Sequence, residues 1–395
     1  MKLKLITLII VCTFILSAAV TVSAGSYDQV FGDPMFTELA VYTGDEIGSY
    51  QMRGFTASPD GKYLFGGCLQ ADKRVYKFDA ATGKVLGEYK DSEPGYGKGL
   101  AADDRGYLYV GIANQANDGA VLYSIVEYET MKEVYIETIK IAGKVGVNGA
   151  AVAKLGDKYY LYFVTNYGPN YIYCYDVTDV KKPVLNKSFA NNGIMTIADI
   201  CGAGSEGSYL GVDGDGIIYM SCNTGGGSKG DTVFKIAADG KSVLAKTAIS
   251  EAYGVSVKDD YVLVSTYAGA DSSVYVLNTS DLSQVTQTAK MSDAANYSMA
   301  IIGGDRIYVC DHGYGGSGDR ILMSGKLNIP EMTVEVVEAA PDAPAAEVSA
   351  PAATATAPAT TVTAAQTGDS MLAVSIIMIA ALAAVTLISK AKKHG

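Results

Sequence analysis

The chain has 395 residues, of which 42 are acidic and 31 basic, giving a formal net charge of −11 at pH 7. A nucleic-acid-binding protein normally presents a basic face, and no cluster of lysine or arginine occurs before the C-terminal tail, so composition excludes a nucleic-acid partner. The six cysteines include no Cys-x-x-Cys pair, which excludes zinc knuckles and c-type haem. We expect no cofactor and no metal site.

The first 24 residues have the pattern of a secretory signal peptide. Lys2 and Lys4 form a basic start, and an apolar segment follows. Small residues at positions 22–24 offer a cleavage site after Ala24. A transmembrane anchor is the alternative, but the apolar segment is short and ends in small residues. We therefore expect the chain to be exported.

A motif of four short apolar runs separated by turns recurs six times between Arg53 and Lys326. A period of this size built from four strands is typical of a β-propeller blade. We label the strands of each blade A to D, from the centre outwards. The B strands begin 44, 53, 57, 44 and 45 residues apart, at Tyr63, Tyr107, Tyr160, Ile217, Tyr261 and Arg306.

The repeats predict an all-β fold, a single six-bladed β-propeller over residues 36–332 with four strands in each blade. We predict that an N-terminal strand within Phe36–Gln51 completes the last blade, since closure removes the free sheet edges that invite aggregation. Within that segment, Asp45–Tyr50 has the pattern of a D strand. Thr333–Glu338 could compete for the same place.

The clearest repeat resembles a known group of propellers. Two segments show the resemblance: SPDGKYLFGG at Ser58–Gly67 and FDAATGKVLG at Phe78–Gly87. They resemble the YVTN-type and quinoprotein-amine-dehydrogenase-like propellers of bacterial and archaeal surface proteins. The resemblance implies a fold and carries no catalytic residues, because these families share none.

The C-terminal region predicts a tethered domain. Residues 338–370 are dominated by Ala, Thr and Pro and are expected to form a disordered stalk. The uncharged segment Met371–Ser389 is long enough to cross a bilayer as a helix. Three lysines in the tail 390–395 place that end in the cytoplasm by the positive-inside rule. We therefore expect a single-pass membrane anchor with the propeller at the cell surface.

The tail also resembles the cell-wall sorting signal of Gram-positive surface proteins, a Leu-Pro-x-Thr-Gly pentad followed by an apolar segment and basic residues. Gln366, Thr367 and Gly368 match its last three positions. Ala364 and Ala365 stand where Leu and Pro belong, which departs from the pattern a sortase cleaves. A retained membrane anchor and attachment to the cell wall both stay open.

The lengths of the loops predict which face of the propeller carries the functional site. The A–B turns are short and generic, whereas the B–C loops are long and polar, and they converge with the D–A loops on the central channel. Two cations, an amide and several aromatic side chains there could hold an anionic or sugar-like ligand. The alternative is a solvated rim that binds nothing specific. The residues just before strand A are Arg53, Lys98, Asn148, Ser208, Tyr253 and Tyr297, and the loops add Asn166, Asn223, Asp311 and His312.

Three functions remain open at this point. The first is a surface-displayed binding module whose partner is an extracellular ligand, glycan or protein. The second is an extracellular propeller enzyme, a hydrolase, lyase or quinoprotein-like oxidoreductase. It would act through Arg53, Lys98, Tyr253 and His312, with His312 beside Asp311 as a general base. The third is a structural envelope protein. No catalytic residue can be assigned.

Two further patterns favour structural interpretations. The sequence from Asp213 to Gly216 superficially resembles a calcium loop, but it falls where an A–B turn is required and no Glu closes it. The cysteines are odd in number after signal removal and irregularly spaced, which does not predict a disulfide framework. Cys68 and Cys222 hold equivalent places in opposite blades and cannot be bridged.

Overall fold

A computed structural model describes residues 37–42, 50–69, 74–90, 97–112, 120–140, 146–166, 170–225, 230–288, 297–311 and 320–326. The predicted signal peptide, stalk, membrane segment and tail lie outside these residues. Where the chain is described, no helix is both long and apolar enough to cross a bilayer.

The described residues form an all-β fold. The strands of the first half of the chain are β1 (Thr37–Tyr42), β2 (Tyr50–Ala57), β3 (Tyr63–Leu69), β4 (Arg74–Asp79), β5 (Val85–Lys90), β6 (Gly97–Ala102), β7 (Tyr107–Ile112), β8 (Ala120–Glu127), β9 (Lys132–Lys140), β10 (Gly146–Leu155), β11 (Lys158–Asn166) and β12 (Tyr171–Asp176). The strands of the second half are β13 (Val184–Leu185), β14 (Ile194–Thr196), β15 (Glu206–Val212), β16 (Ile218–Asn223), β17 (Gly230–Ile236), β18 (Val243–Lys258), β19 (Tyr261–Thr266), β20 (Val274–Asn278), β21 (Gln284–Gln287), β22 (Tyr297–Gly303), β23 (Arg306–Asp311) and β24 (Arg320–Lys326). The helix α1 (Ile197–Cys201) follows β14, and a single 3₁₀ turn spans Gly269–Asp271.

Antiparallel pairing arranges these strands as a propeller, but not as six separate blades. The described strands form five sheets: β2 to β5, β6 to β9, β10 to β14, β15 to β21, and β22 to β24 with β1. The fourth and fifth sequence repeats share one seven-stranded sheet because β18 runs for 16 residues, ending one repeat and beginning the next. The prediction of six separate four-stranded blades is therefore wrong.

The N-terminal strand closes the last sheet, as predicted. β1 pairs antiparallel with β24, with Thr37 opposite Ser324 and Tyr42 opposite Arg320. The predicted position of this strand at Asp45–Tyr50 is wrong, because Tyr50 pairs with Leu69 and so begins β2 of the next sheet. The competing segment 333–338 lies outside the described residues.

The first strands of the repeats surround a common axis. β2 contacts β6, and the contacts continue through β10, β15 and β18 to β22, which returns to β2. Apolar side chains fill the space between neighbouring sheets. Phe65 and Val75 of the first repeat pack with Leu100 and Leu108 of the second, and each is at most 3 % exposed. Burying a side chain of this size contributes roughly 1.5–3 kcal/mol.

The A–B turns are fixed by side-chain carboxylates. Asp213 Oδ1 accepts the backbone N–H groups of Asp215 at 3.0 Å and Ile217 at 2.9 Å, and its Oδ2 accepts the Tyr219 hydroxyl at 3.1 Å. Asp103 caps the corresponding turn of the second repeat in the same way. The turn predicted at Asp213 is confirmed, and the Asp213 carboxylate accepts hydrogen bonds from the backbone of that turn.

Neighbouring sheets approach most closely where glycines face each other. A Cβ placed on Gly67 would lie 1.9 Å from the carbonyl oxygen of Gly97. Only a residue without a side chain fits there, because the atom it would meet belongs to the backbone of β6. This contact sets the spacing of the first two repeats near the axis.

We expect Gly67→Ala to destabilise the protein by about 3 kcal/mol, because the new methyl group must push β6 away from β3. Gly214→Ala is the matched control, since a Cβ at Gly214 meets nothing within 4 Å. Denaturant unfolding of both variants measures the difference. Equal free energies of unfolding would contradict the close-approach argument.

Candidate functional site: a cationic and aromatic cluster on the propeller axis

Each first strand interrupts its pairing with the second strand near the end where the B–C loops begin. A β-bulge leaves one or two residues unpaired and re-aims their side chains. Because the interruptions fall at one level, the unpaired residues surround the axis together. They are Arg53, Lys98, Asn148, Ser208 with Tyr209, Tyr253 with Gly254, and Ser298.

Lys98 lies at the centre of this arrangement. Its Nζ donates a hydrogen bond to Asn148 Oδ1. The same atom lies 5.7 Å from the ring centroid of Tyr209 and 5.8 Å from that of Tyr253, within reach of a weak cation–π attraction. The side chain is only 1 % exposed. Burial, helped by the positive charge of Arg53, holds the pKa of Lys98 well below its ordinary value.

Tyr209 crosses the axis. Its hydroxyl donates a hydrogen bond of 2.8 Å to the backbone carbonyl of Arg53, in a repeat 156 residues away. Its ring lies 5.0 Å from that of Tyr253, which in turn lies 4.9 Å from that of Tyr267. We call the following set the axial cluster: Arg53, Lys98, Asn148, Tyr209, Tyr253 and Tyr267.

The axial cluster places the Arg53 guanidinium beside the buried Lys98 amine, where little water reaches. Two like charges repel more strongly in a low-dielectric interior than in solvent. Asp311, fully buried and opposite Tyr297 in the pairing of β22 with β23, brings a carboxyl group to the same level. Chemically, the cluster offers guanidinium, amine and phenol donors together with an amide. Such groups suit a ligand with an anionic or hydroxyl-rich group.

The structure brings together four of the predicted site residues, but not on a solvated rim. Lys98, Asn148 and Tyr253 are buried and Arg53 is half-buried, whereas Tyr297 is buried in a separate apolar group with Ile307 and Val309. These four side chains therefore do not form the solvated rim that the sequence left open as an alternative. The bulges place these four side chains near the axis.

The remaining predicted residues lie nearer the loops. Asn166 ends β11, where it pairs with Gly146 through the backbone. Asn223 ends β16, and its Oδ1 accepts the backbone N–H of Gly225 at 2.9 Å, so it shapes the start of a loop. Asp311 ends β23 and is buried. His312 lies outside the described residues.

Sequence reasoning missed Tyr209 and misplaced the sixth repeat by one residue. The fourth repeat was aligned on Ser208, but its bulge contains two residues, and Tyr209 is the one that reaches across the axis. In the sixth repeat Ser298 occupies the bulge, and Tyr297 precedes it. A glycine directly after the bulged residue is a sequence signal for this position. It follows Arg53, Lys98, Asn148 and Tyr253, but no glycine follows Tyr209.

A cavity of ≈ 220 Å³ lies along the axis on the other side of this level, towards the A–B turns. Its walls are successive residues of the first strands, beginning two positions beyond the bulges at Phe55 and Leu100 and ending at turn residues such as Ser58 and Gly304. No member of the axial cluster is among its lining residues. The cluster therefore separates this cavity from the B–C side.

No protein-family model matches the chain, and no curated protein matches it. The likeness to YVTN-type and quinoprotein-amine-dehydrogenase-like propellers therefore stays a prediction.

Several solved structures are similar in fold. The WD40 repeats of RRP9 have 11 % identity and a TM-score of 0.47, over 76 % of this chain and 99 % of that one. Hydrazine synthase of Kuenenia stuttgartiensis has 18 % identity and a TM-score of 0.43, over 67 % and 77 %. BamB from Moraxella catarrhalis has 14 % identity and a TM-score of 0.37, over 68 % and 71 %. The propeller architecture itself follows from the strand pairing of this chain.

We expect Lys98→Met to change how stability depends on pH. In the unfolded chain the Lys98 amine has its ordinary pKa of 10.5, so it carries a proton below about pH 10.5. In the folded protein the pKa is lower, so the amine gives up this proton at a lower pH. The free energy of unfolding of the wild type should therefore rise with pH up to about 10.5, by at most about 1.4 kcal/mol per pH unit, relative to the variant. Urea unfolding between about pH 7 and pH 10 measures this difference.

Lys62→Met is the control, because the Lys62 side chain is 71 % exposed. Its unfolding free energy should follow that of the wild type across the same window. Parallel pH curves for the wild type and Lys98→Met would show that the buried amine is charged throughout and would contradict the assignment.

Proposed function

We propose that the protein is a cell-surface binding module that engages an extracellular ligand through the B–C and D–A loop face. The group it receives is anionic. The observation that carries this proposal is the axial cluster, in which bulges at one level direct Arg53, Lys98 and Asn148 to the axis among tyrosines. The propeller fold is also consistent with a protein-interaction scaffold.

The chemistry of the cluster favours an anion over a neutral ligand. Arg53 is the less buried of the two basic residues of the cluster, and Arg binds carboxylates through a planar fork. Lys98 lies deeper and is the second donor. A hydrogen bond to a charged group contributes about 1.5–3 kcal/mol. A bound anion also favours the protonated amine, so affinity should fall as pH rises and Lys98 loses its proton.

The ligand can be a free molecule, a glycan or a side chain of a protein partner. Three of the six cluster residues are Tyr and one is Arg, and these two residue types are enriched among those that carry most binding energy at protein interfaces. The loop Tyr267–Ser273 connects the B–C loop face to the axial cluster. The Tyr267 backbone N–H donates to the Glu251 carbonyl at 2.9 Å, and its ring packs on Tyr253.

The proposed location is the outer surface of the cell, with the chain anchored by one membrane-spanning segment. Its support is the sequence: the signal-peptide pattern of residues 1–24, the Ala/Thr/Pro-rich stretch 338–370, and the uncharged segment 371–389 followed by lysines. Attachment to the cell wall is the alternative fate of the same tail.

Removing both cations tests the binding proposal. Arg53→Gln with Lys98→Met should weaken binding of D-glucuronate, used as a carboxylate probe, by about 10- to 100-fold for each lost charged hydrogen bond. Titration calorimetry measures the affinity, and D-glucose serves as the uncharged comparison. We expect the wild type to prefer glucuronate and the double variant to lose that preference.

The matched control is Lys62→Gln with Lys84→Gln, two exposed lysines beside the A–B and C–D turns of the first repeat. It removes the same charge from the opposite face and should leave the glucuronate affinity within about twofold. Equal weakening by both double variants, or equal binding of glucuronate and glucose to the wild type, would contradict an anion site at the cluster.

A truncated chain tests the location. Ending the chain before Ala364 removes the uncharged segment, so the propeller should appear in the medium, whereas the full chain should fractionate with membranes. Met378→Asp in the full chain is the matched variant, because a carboxylate at the centre of a spanning helix opposes insertion by about 2.5–3.5 kcal/mol. Truncated protein that stays with the membrane would contradict a C-terminal tether.

A further inference from the structure

The cavity towards the A–B turns is bounded by equivalent residues of all six repeats. Its volume is ≈ 220 Å³. In each first strand the residue four positions beyond the first bulged residue lines this cavity, and in every repeat that residue is apolar. We call the following set the mouth ring: Ala57, Ala102, Val152, Val212, Val257 and Ile302.

Every member of the mouth ring is half-buried. Each one packs against a different apolar cluster between the sheets, as Val152 does against the cluster of Leu161 and Val212 against that of Ile218. The same side chains line the cavity, so the apolar surface that the clusters leave uncovered faces the axis. A closed circle of uncovered apolar surface is typical of a place where another molecule binds.

The cavity is apolar inside and opens between the A–B turns. Leu100, Leu210 and Val255 line its inner part, and each is at most 3 % exposed. The exposed turn residues Pro59 and Gly304 also line it, so the cavity reaches solvent at that end. A molecule can therefore enter from the A–B side and is stopped at the level of the axial cluster.

Charge at the cavity is confined to its mouth. Among the described residues that line the cavity, Lys258 is the one charged side chain, and its Nζ lies 3.4 Å from Asp259 Oδ1. A charged ligand would lose its water inside the cavity without meeting an opposite charge there, which is costly. The lining therefore favours a neutral molecule.

The first strands also present backbone groups to the axis. At this level each of them pairs with its second strand and has its other edge free. In an antiparallel pair, alternate residues direct their N–H and C=O groups away from the partner strand. The Ala300 carbonyl of β22 accepts the Ser256 hydroxyl of β18 at 2.6 Å, so a first-strand carbonyl here is open to a donor from outside its own sheet.

We propose that this cavity binds a small neutral aromatic molecule that carries one N–H or O–H group. The ring system fills the apolar space, and the N–H or O–H donates to a carbonyl on the free edge of a first strand. An apolar cavity of about 150 Å³ takes up benzene, so ≈ 220 Å³ is enough for a two-ring molecule such as indole. The site lies on the face opposite the proposed binding face, and the inference does not depend on the axial cluster.

Indole fluorescence tests the proposal directly, because the chain contains no tryptophan and tyrosine is not excited at the red edge of indole absorption. The folded full-length protein is titrated into indole. We expect a blue shift of the indole emission and a rise in its anisotropy, with a dissociation constant on the order of 0.1–1 mM. N-methylindole, which lacks the donor, should bind about 2- to 10-fold more weakly.

Filling the cavity should abolish this binding. Ala102→Leu adds a branched side chain to the mouth ring and should weaken indole binding by about 10-fold or more, because the new atoms occupy the space of the ligand. Ala203→Leu is the matched control, since Ala203 is exposed and does not line the cavity, and its indole affinity should stay within about twofold of the wild type.

Denaturant unfolding checks that each variant is folded. If Ala102→Leu does not unfold cooperatively, Val257→Phe replaces it, because Val257 lies in the fifth repeat and fills the cavity from the other side of the mouth ring. Unchanged emission at about 5 mM indole overturns the proposal. Equal indole affinity of the wild type and the cavity-filling variant, or equal affinity for indole and N-methylindole, overturns it as well.

Discussion

The antiparallel pairing of β1 with β24 is the interaction on which the rest of the described fold depends. It joins strands from the two ends of the described chain and supplies the outer strand of the last sheet. Without it β24 would be a free edge, and the first strands would not be held in a closed circle. Closure in turn fixes how near the first strands lie to the axis, and hence whether six bulges can bring their side chains into one cluster.

The structure separates an apolar interior between sheets from a polar layer on the axis. Residues such as Phe65 and Leu108 fill the space between sheets and account for most of the stabilisation. The axial layer is costly by comparison, because it buries Lys98 close to the charge of Arg53. A fold selected for stability alone could place apolar side chains at these bulges. The two basic side chains placed there are the reason we propose a role in binding for this layer.

The sequence predicts the strands and turns well because both depend on local patterns. The Ser58–Gly61 turn, the carboxylate-capped turn at Asp213 and the B strands follow from glycine, proline and apolar alternation over a few residues. The sheet count was not predictable, since nothing local shows that β18 continues from one repeat into the next. The sequence also does not show whether a bulge contains one residue or two. The alignment of the repeats therefore identified Arg53 and Lys98 correctly but selected Ser208 in place of Tyr209. Burial at the axis depends on contacts between residues more than 40 positions apart, which no single repeat encodes.

The unbroken course of β18 has a mechanical consequence. The third and fourth repeats are joined through β13, β14 and α1, whereas the fourth and fifth repeats share one ladder of backbone hydrogen bonds from β15 to β21. Force applied to either half of this sheet is carried along that ladder. The circle is therefore uneven in stiffness: one stretch behaves as a rigid double unit, and opening of the ring should begin elsewhere on its circumference.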